Sequence, residues 1–166
     1  MVRNILSTLL IALLSVAPLA AQDASHPPFQ RMDVFDLEWV DDPQIAPDGA
    51  HIVYVRRGMD VMTDRRTAAL WMMDADGTNH VKLTDRDANE SSPRWSPDGS
   101  RIAFTSSDEA DGSEIYIHWV EPNKTAKITQ LENSPGDLAW SPDGAHLAFT
   151  MHVDASAPQF VTPPPK

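Results

Sequence analysis

The sequence has no cysteine among its 166 residues. That excludes disulfides, thiolate metal sites, a cysteine nucleophile and a lipid-anchored N-terminal cysteine. Glycine is scarce too, with seven residues at positions 49, 58, 77, 99, 112, 136 and 144. No two stand four apart, so the Gly-x-Ser-x-Gly elbow that exposes a serine nucleophile on a sharp strand-to-helix turn is absent. Basic residues are outnumbered, 13 Lys and Arg against 24 Asp and Glu, for a formal net charge of −11. A surface that acidic repels phosphates and anionic headgroups, so neither nucleic acid nor a membrane surface is an expected partner. Beyond the N-terminus, no stretch is apolar enough to cross a bilayer as a helix.

The N-terminus is a different matter. Met1-Val2-Arg3-Asn4 is a short positive start, and Ile5 to Ala17 is an apolar run broken only by small hydroxyls. Pro18-Leu19-Ala20-Ala21 then supplies a breaker and small residues ahead of Gln22-Asp23. This pattern reads as a signal peptide over residues 1–21, cleaved after Ala21, and predicts export to the periplasm or the medium. The run is short for a bilayer-spanning helix, so no membrane span is expected after cleavage. Loss of Arg3 leaves the mature chain more acidic still.

Self-comparison reveals an internal repeat. Pro43-Gln44-Ile45-Ala46-Pro47-Asp48-Gly49-Ala50-His51-Ile52-Val53-Tyr54-Val55 aligns without gaps on Pro93-Arg94-Trp95-Ser96-Pro97-Asp98-Gly99-Ser100-Arg101-Ile102-Ala103-Phe104-Thr105. A third copy runs from Asp137 through Trp140-Ser141-Pro142-Asp143-Gly144 to Thr150. Gly49 and Gly99 are 50 residues apart, and Gly99 and Gly144 are 45 apart. That period suits one four-stranded blade of a β-propeller.

The turn chemistry agrees with that period. In each Pro-Asp-Gly the proline presets φ at the second turn position, the aspartate tolerates the third, and the glycine accepts the positive φ that follows. Such turns join short antiparallel strands. Beyond the second turn, Ile102 and Phe104 point to one face and Arg101, Ala103 and Thr105 to the other. Ile52 and Tyr54, then Leu147 and Phe149, repeat the alternation. Trp95 and Trp140 stand before their turns, placed to fill the space between blades, and Ile45 takes that position in the first copy.

A second strand pair follows each of the first two turns. Ala69 to Met73 leads through Asp74-Ala75-Asp76-Gly77 to His80–Thr84. Glu114 to Val120 leads through Glu121-Pro122-Asn123-Lys124 to Ala126–Thr129. The expected fold is therefore all-β, an incomplete propeller of about two and a half four-stranded antiparallel blades. A lead-in occupies 22–42, blade 1 occupies 43–85, blade 2 occupies 93–131, and the first half of blade 3 occupies 137–153. In the lead-in, Asp33 to Trp39 predicts a helical turn with Asp33 as N-cap and Phe35 and Trp39 on one face. Asp60 to Arg66 reads as a polar insertion between strands of blade 1. Residues 154–166, with Pro158 and Pro163-Pro164-Pro165, read as an extended tail.

Several groups invite a chemical reading. The histidines at 26, 51, 80, 118, 146 and 152 lack the spacing of three to five that pairs metal ligands on a helix, so strand-surface roles are expected. Asp74-Ala75-Asp76-Gly77 resembles the start of a calcium loop but lacks the later glutamate, and a hairpin turn explains the same residues. Asp48, Asp98 and Asp143 could pass for paired catalytic carboxylates, yet they occupy equivalent turns in different blades. Arg56-Arg57 and Arg65-Arg66 could hold an acidic ligand or substrate terminus, or be solvated charges. No catalytic residue, metal or cofactor is expected. The singled-out positions are the turn residues Pro47, Asp48, Gly49, Pro97, Asp98, Gly99, Pro142, Asp143 and Gly144.

The Trp-Ser-Pro-Asp-Gly motifs resemble the repeats of TolB-like propellers. They also resemble the N-terminal propeller of the prolyl oligopeptidase family, especially its acylaminoacyl-peptidase and dipeptidyl-peptidase members. Asp33-Val34-Phe35-Asp36-Leu37 ahead of Asp42–Gly49, and Leu70–Gly77, are similar to that family's entry into its propeller and to a recurring strand and turn. The resemblance covers roughly Met32 to Val153. It implies a propeller that gates a separate C-terminal α/β-hydrolase domain supplying serine, aspartate and histidine, with a peptide substrate only in that full-length context. None of those catalytic positions exists in this sequence, so the chain as it stands is not expected to be an enzyme. The alternative is a periplasmic TolB-like module that binds a protein or ligand. Open blade edges also offer a surface for a protein partner or self-association.

Overall fold

Short runs of β-branched and aromatic residues, punctuated by Pro-Asp-Gly, favour strands joined by tight turns. The computed structural model describes residues 28–108 and 112–154, and these fold into three antiparallel sheets in chain order. The first sheet contains β1 (Trp39–Ile45), β2 (His51–Asp60), β3 (Arg65–Asp74) and β4 (Val81–Lys82). The second contains β5 (Asn89–Trp95), β6 (Arg101–Asp108), β7 (Gly112–Trp119) and β8 (Lys124–Lys127). The third pairs β9 (Pro135–Trp140) with β10 (Leu147–Met151). Each sheet is one propeller blade, with every strand paired to its neighbour in sequence.

Alternation along β6 sends its side chains to two different interfaces. Phe104 stacks on Tyr116, with ring centroids 5.7 Å apart. Both pack against Val55, Ala68 and Leu70 of blade 1. On the opposite face, Ala103 and Ile115 pack against Leu138 of blade 3, with Leu131, Trp140 and Leu147 closing over them. A middle blade therefore buries both faces, and Ile102, Ala103 and Phe104 are all inaccessible to water. Each large apolar side chain so buried contributes about 1.5–3 kcal/mol. Phe149 lies at the equivalent position in blade 3 but remains exposed, since the described part of that sheet has two strands.

The first strand of every blade carries the same irregularity. Pairing shifts between Asp41 and Gln44 in β1, and between Ser91 and Arg94 in β5. In blade 3 it shifts between Ala148 and Thr150 of β10. Asp42, Ser92 and Asp137 adopt left-handed φ values of 45°, 55° and 49° there. Each stands three residues before Ile45, Trp95 or Trp140. An extra residue at such a bulge bends the strand and increases its twist. Short polar side chains tolerate the left-handed region, which is why these residue types fill the position.

Two local expectations need correction. The lead-in is a 3-10 turn, Arg31–Asp36, with Gln30 as its N-cap. Asp33 is the third residue inside it, and its carboxylate accepts from the Gln30 N–H at 2.7 Å. An aspartate there reaches back to the cap backbone as readily as it could cap forward. Trp39 does not share that turn, because it opens β1. The segment from Asp60 to Arg66 is no insertion. Asp60 ends β2, Arg65 begins β3 and the two pair, leaving a hairpin turn over Val61–Asp64. The signal peptide predicted over 1–21 lies outside the described residues, as do 22–27 of the lead-in and 155–166 of the tail.

Candidate functional site

The three Pro-Asp-Gly turns lie at one end of the blades, where β1 meets β2, β5 meets β6 and β9 meets β10. Each closes with a backbone bond, from Gly49 to Ala46, Gly99 to Ser96 and Gly144 to Ser141, at 2.8–2.9 Å. Neighbouring turns touch. A Cβ on Gly99 would lie 3.6 Å from Pro47 Cδ, and one on Gly144 would lie 3.5 Å from Pro97 Cδ. Asp98 accepts from the Ser96 hydroxyl and from both the hydroxyl and the N–H of Ser100. These bonds, the Ser96 hydroxyl first, hold its pKa down to about 2. Asp143 is lowered in the same way by the Ser141 hydroxyl and the Ala145 N–H. Ala46 has no hydroxyl to offer Asp48, which accepts from the Ala50 N–H at 2.9 Å. Asp98 and Asp143, held ionised by their own turns, have no proton to give at neutral pH.

The other acidic and histidine positions are also tied locally. Asp76 accepts from the hydroxyl and N–H of Thr78, which lowers its pKa. Asp74 accepts from Asn79 Nδ2 at 2.6 Å and lies 3.6 Å from His51 Nε2. Burial raises the pKa of the Tyr54 phenol. The Gly77 carbonyl can only accept, so it takes the His80 Nε2–H at 3.1 Å, and Nδ1 of that tautomer accepts from the Tyr54 O–H at 2.7 Å. His118 is buried beside the Thr125 hydroxyl, and that burial pushes its pKa down. His152 lies 3.2 Å from Asp154, and His146 is exposed. Among the described residues, no group of three or more His, Asp or Glu is placed to hold a metal ion.

Two buried glutamates secure the ends of the blades. Glu90, at the start of β5, accepts from the Thr84 hydroxyl and from the Leu70 N–H at 2.9 Å, both in blade 1. Burial pushes its pKa up against the pull of those bonds. Thr129 occupies the position in blade 2 that Thr84 occupies in blade 1. It donates to Glu114, which also accepts from the Leu131 N–H at 3.0 Å. The two blades therefore anchor the same threonine with glutamates from different strands.

A recess lies at the other end of the blades, between the β2–β3 hairpin and the connection entering blade 2. It encloses about 1040 Å³. Arg56 and Arg57 of β2, Arg65 and Arg66 of β3, Lys82 of β4 and Arg86 of the connection line it. Four carboxylates, Glu38, Asp60, Asp87 and Asp108, stand among them. Arg56 pairs with Glu38 and lies 4.7 Å above the Trp71 ring. Arg57 pairs with Asp41 at 2.9 Å. Arg86 lies 4.1 Å above the Tyr116 ring and 3.3 Å from Asp108. The two arginine pairs singled out in the sequence thus meet in one groove. Lys82 and Arg86 join them from β4 and the interblade connection, and no local motif announces that.

Residues 49–162 match the TolB beta propeller domain. The chain belongs to the TolB β-propeller family. It is 33% identical over 99 residues to the uncharacterized peptidase YuxL of Bacillus subtilis (strain 168), covering 60% of this chain and 15% of that one. It is 38% identical over 72 residues to dipeptidyl-peptidase 5 of Porphyromonas gingivalis, covering 43% of this chain and 10% of the other. The β-propeller domain of the trilobed protease from Pyrococcus furiosus superposes with a TM-score of 0.54 at 23% identity, over 68% of this chain and 33% of that one. This TolB-family propeller is thus related to the propellers of peptidases and spans a small fraction of the curated peptidases it matches. No catalytic domain is evident in it.

Proposed function

We propose that this TolB-family chain is the non-catalytic N-terminal propeller portion of an exported serine peptidase of the prolyl oligopeptidase family. The observation that carries the reading is the 33% identity to a peptidase of which the chain covers only 15%. Peptide hydrolysis would reside in an α/β-hydrolase domain, with the propeller screening what reaches it. The hydrogen-bonded, lowered aspartates of the turns suit a scaffold rather than a proton donor. The apolar N-terminal run ending at Ala20-Ala21 supports export.

The test is to isolate the native product with an antibody against the propeller. The product is then treated with a fluorophosphonate, which labels activated serines. The expected result is a labelled species much larger than 166 residues in the exported fraction. An unlabelled product of about this chain's own size would overturn the reading. It would favour instead a periplasmic TolB-like module that binds a protein or ligand, the alternative supported by the family match itself. For that module, the surfaces offered to a partner or a second copy are the open blade faces, where Ile45 is 69% exposed.

A further inference from the structure

Charge in this protein is distributed unevenly, and the imbalance points to a ligand. Among the described residues, six Lys and Arg line this groove between blades 1 and 2, against four Asp and Glu. A chain with a net charge of −11 therefore places a locally cationic recess on an anionic surface. From the groove and this placement of charge, we propose that it binds a short acidic peptide segment.

The cations divide by role. Arg56 and Arg86 are fixed by Glu38 and Asp108 and by the Trp71 and Tyr116 rings beneath them, so they form a rigid floor. Arg66 and Lys82 are exposed, and among the described residues neither forms a salt bridge. They present the donors that a ligand carboxylate would meet, and the arginine fork suits a carboxylate in two-point contact. The recess of about 1040 Å³ has room for about thirty-five waters at roughly 30 Å³ each, far more than one inorganic anion fills. An extended polyphosphate or nucleic acid strand would run off the groove onto acidic surface and be repelled. A few carboxylates on a short peptide stay within it. This inference rests on the propeller alone and stands whether or not a peptidase domain accompanies it.

The experiment uses the full chain and a fluorescein-labelled hexapeptide rich in Asp and Glu, followed by fluorescence anisotropy. Comparators are the Asn/Gln analogue of the peptide, tripolyphosphate and a short single-stranded DNA. Variants are Arg66→Glu and Lys82→Glu, both at exposed positions, with Lys124→Glu at the far end of blade 2 as control. Saturable binding of the acidic peptide is expected, weakening with added salt. It should fall about tenfold or more in the groove variants, as expected for loss of charge-assisted contacts, and stay unchanged in the control. No saturable binding, equal binding of the neutral analogue, or equal loss in Lys124→Glu would overturn the proposal. Tighter binding of tripolyphosphate or DNA would overturn the peptide assignment.

Discussion

The indole N–H of Trp140 donates to the carbonyl of Arg94 at 3.0 Å, tying blade 3 to blade 2. Trp95 makes the equivalent bond to the Gln44 carbonyl, 3.1 Å away in blade 1. In each case the acceptor is the residue just before the tryptophan's own counterpart in the preceding blade. A repeated sequence thereby produces a repeated bond between repeats.

Replacement of Trp140 by Phe keeps most of the apolar surface and removes the donor. It also weakens the stacking of Arg101, which lies 4.9 Å from the Trp140 ring. Loss of the bond leaves the Arg94 carbonyl short of a partner, at a cost of about 1–2 kcal/mol. Urea denaturation of Trp140→Phe should show a lower midpoint at unchanged slope. Trp95→Phe should behave alike through Gln44. A midpoint equal to wild type in both would show that the indole bonds contribute nothing.

Glu90 gives a pH dependence whose sign follows from its burial. Its folded pKa is raised above the unfolded carboxylate value, chiefly by desolvation, while Thr84, the Leu70 N–H, Arg86 and Lys82 oppose the shift. The folded state therefore holds the proton more tightly. The associated stability is present below the unfolded pKa and is lost as pH rises through the folded one. Glu90→Gln keeps an acceptor for Leu70 and cannot ionise, so its stability should vary less between roughly pH 4 and 8. Glu90→Ala leaves the Leu70 N–H and the Thr84 hydroxyl unpaired and should cost about 1–3 kcal/mol. Denaturation midpoints across that range separate the two effects, and a Gln variant with the wild-type slope would refute the assignment.

Asp98 titrates in the opposite sense. Its pKa is held near 2, first by the Ser96 hydroxyl. Its contribution is present above the unfolded carboxylate range and is lost as pH falls through that lowered value. Ser96→Ala should move the Asp98 titration upward and leave Asp143 in place, while Ser141→Ala should do the reverse. Carboxyl-carbon NMR titration reads both, and a shift of both aspartates in either variant would contradict the local origin of the effect.

Gly49 and Gly144 occupy the same turn position and should pay a similar cost for alanine. Both have positive φ, 72° and 67°, so either substitution costs about 1–2 kcal/mol in backbone strain. At Gly49 a new Cβ meets open space, whereas at Gly144 it lies 3.4 Å from Arg101 Nη2 and 3.5 Å from Pro97 Cδ. These are ordinary van der Waals separations, so the shared backbone strain should set both costs, and Gly144→Ala should lose about as much stability as Gly49→Ala while keeping the Arg101 bond to the Gly144 carbonyl. Comparison of the two thermal midpoints decides the matter.

The sequence by itself determined the blades. Pro-Asp-Gly imposes a turn through local dihedral preferences, and two-residue alternation imposes a strand, so both signals survive without knowledge of distant contacts. Their recurrence at intervals of 45–50 residues was enough to specify a propeller. Tertiary structure alone decided what the faces and ends of those blades do. The left-handed bulges at Asp42, Ser92 and Asp137 emerge only from strand pairing. Glu90 meets Thr84 and Leu70 only because blade 2 packs on blade 1. The cationic groove gathers Arg57, Arg66, Lys82 and Arg86 from three strands and a connection. Electrostatic sites depend on distance in space, and pairing across strands and blades, which no local pattern encodes, sets that distance.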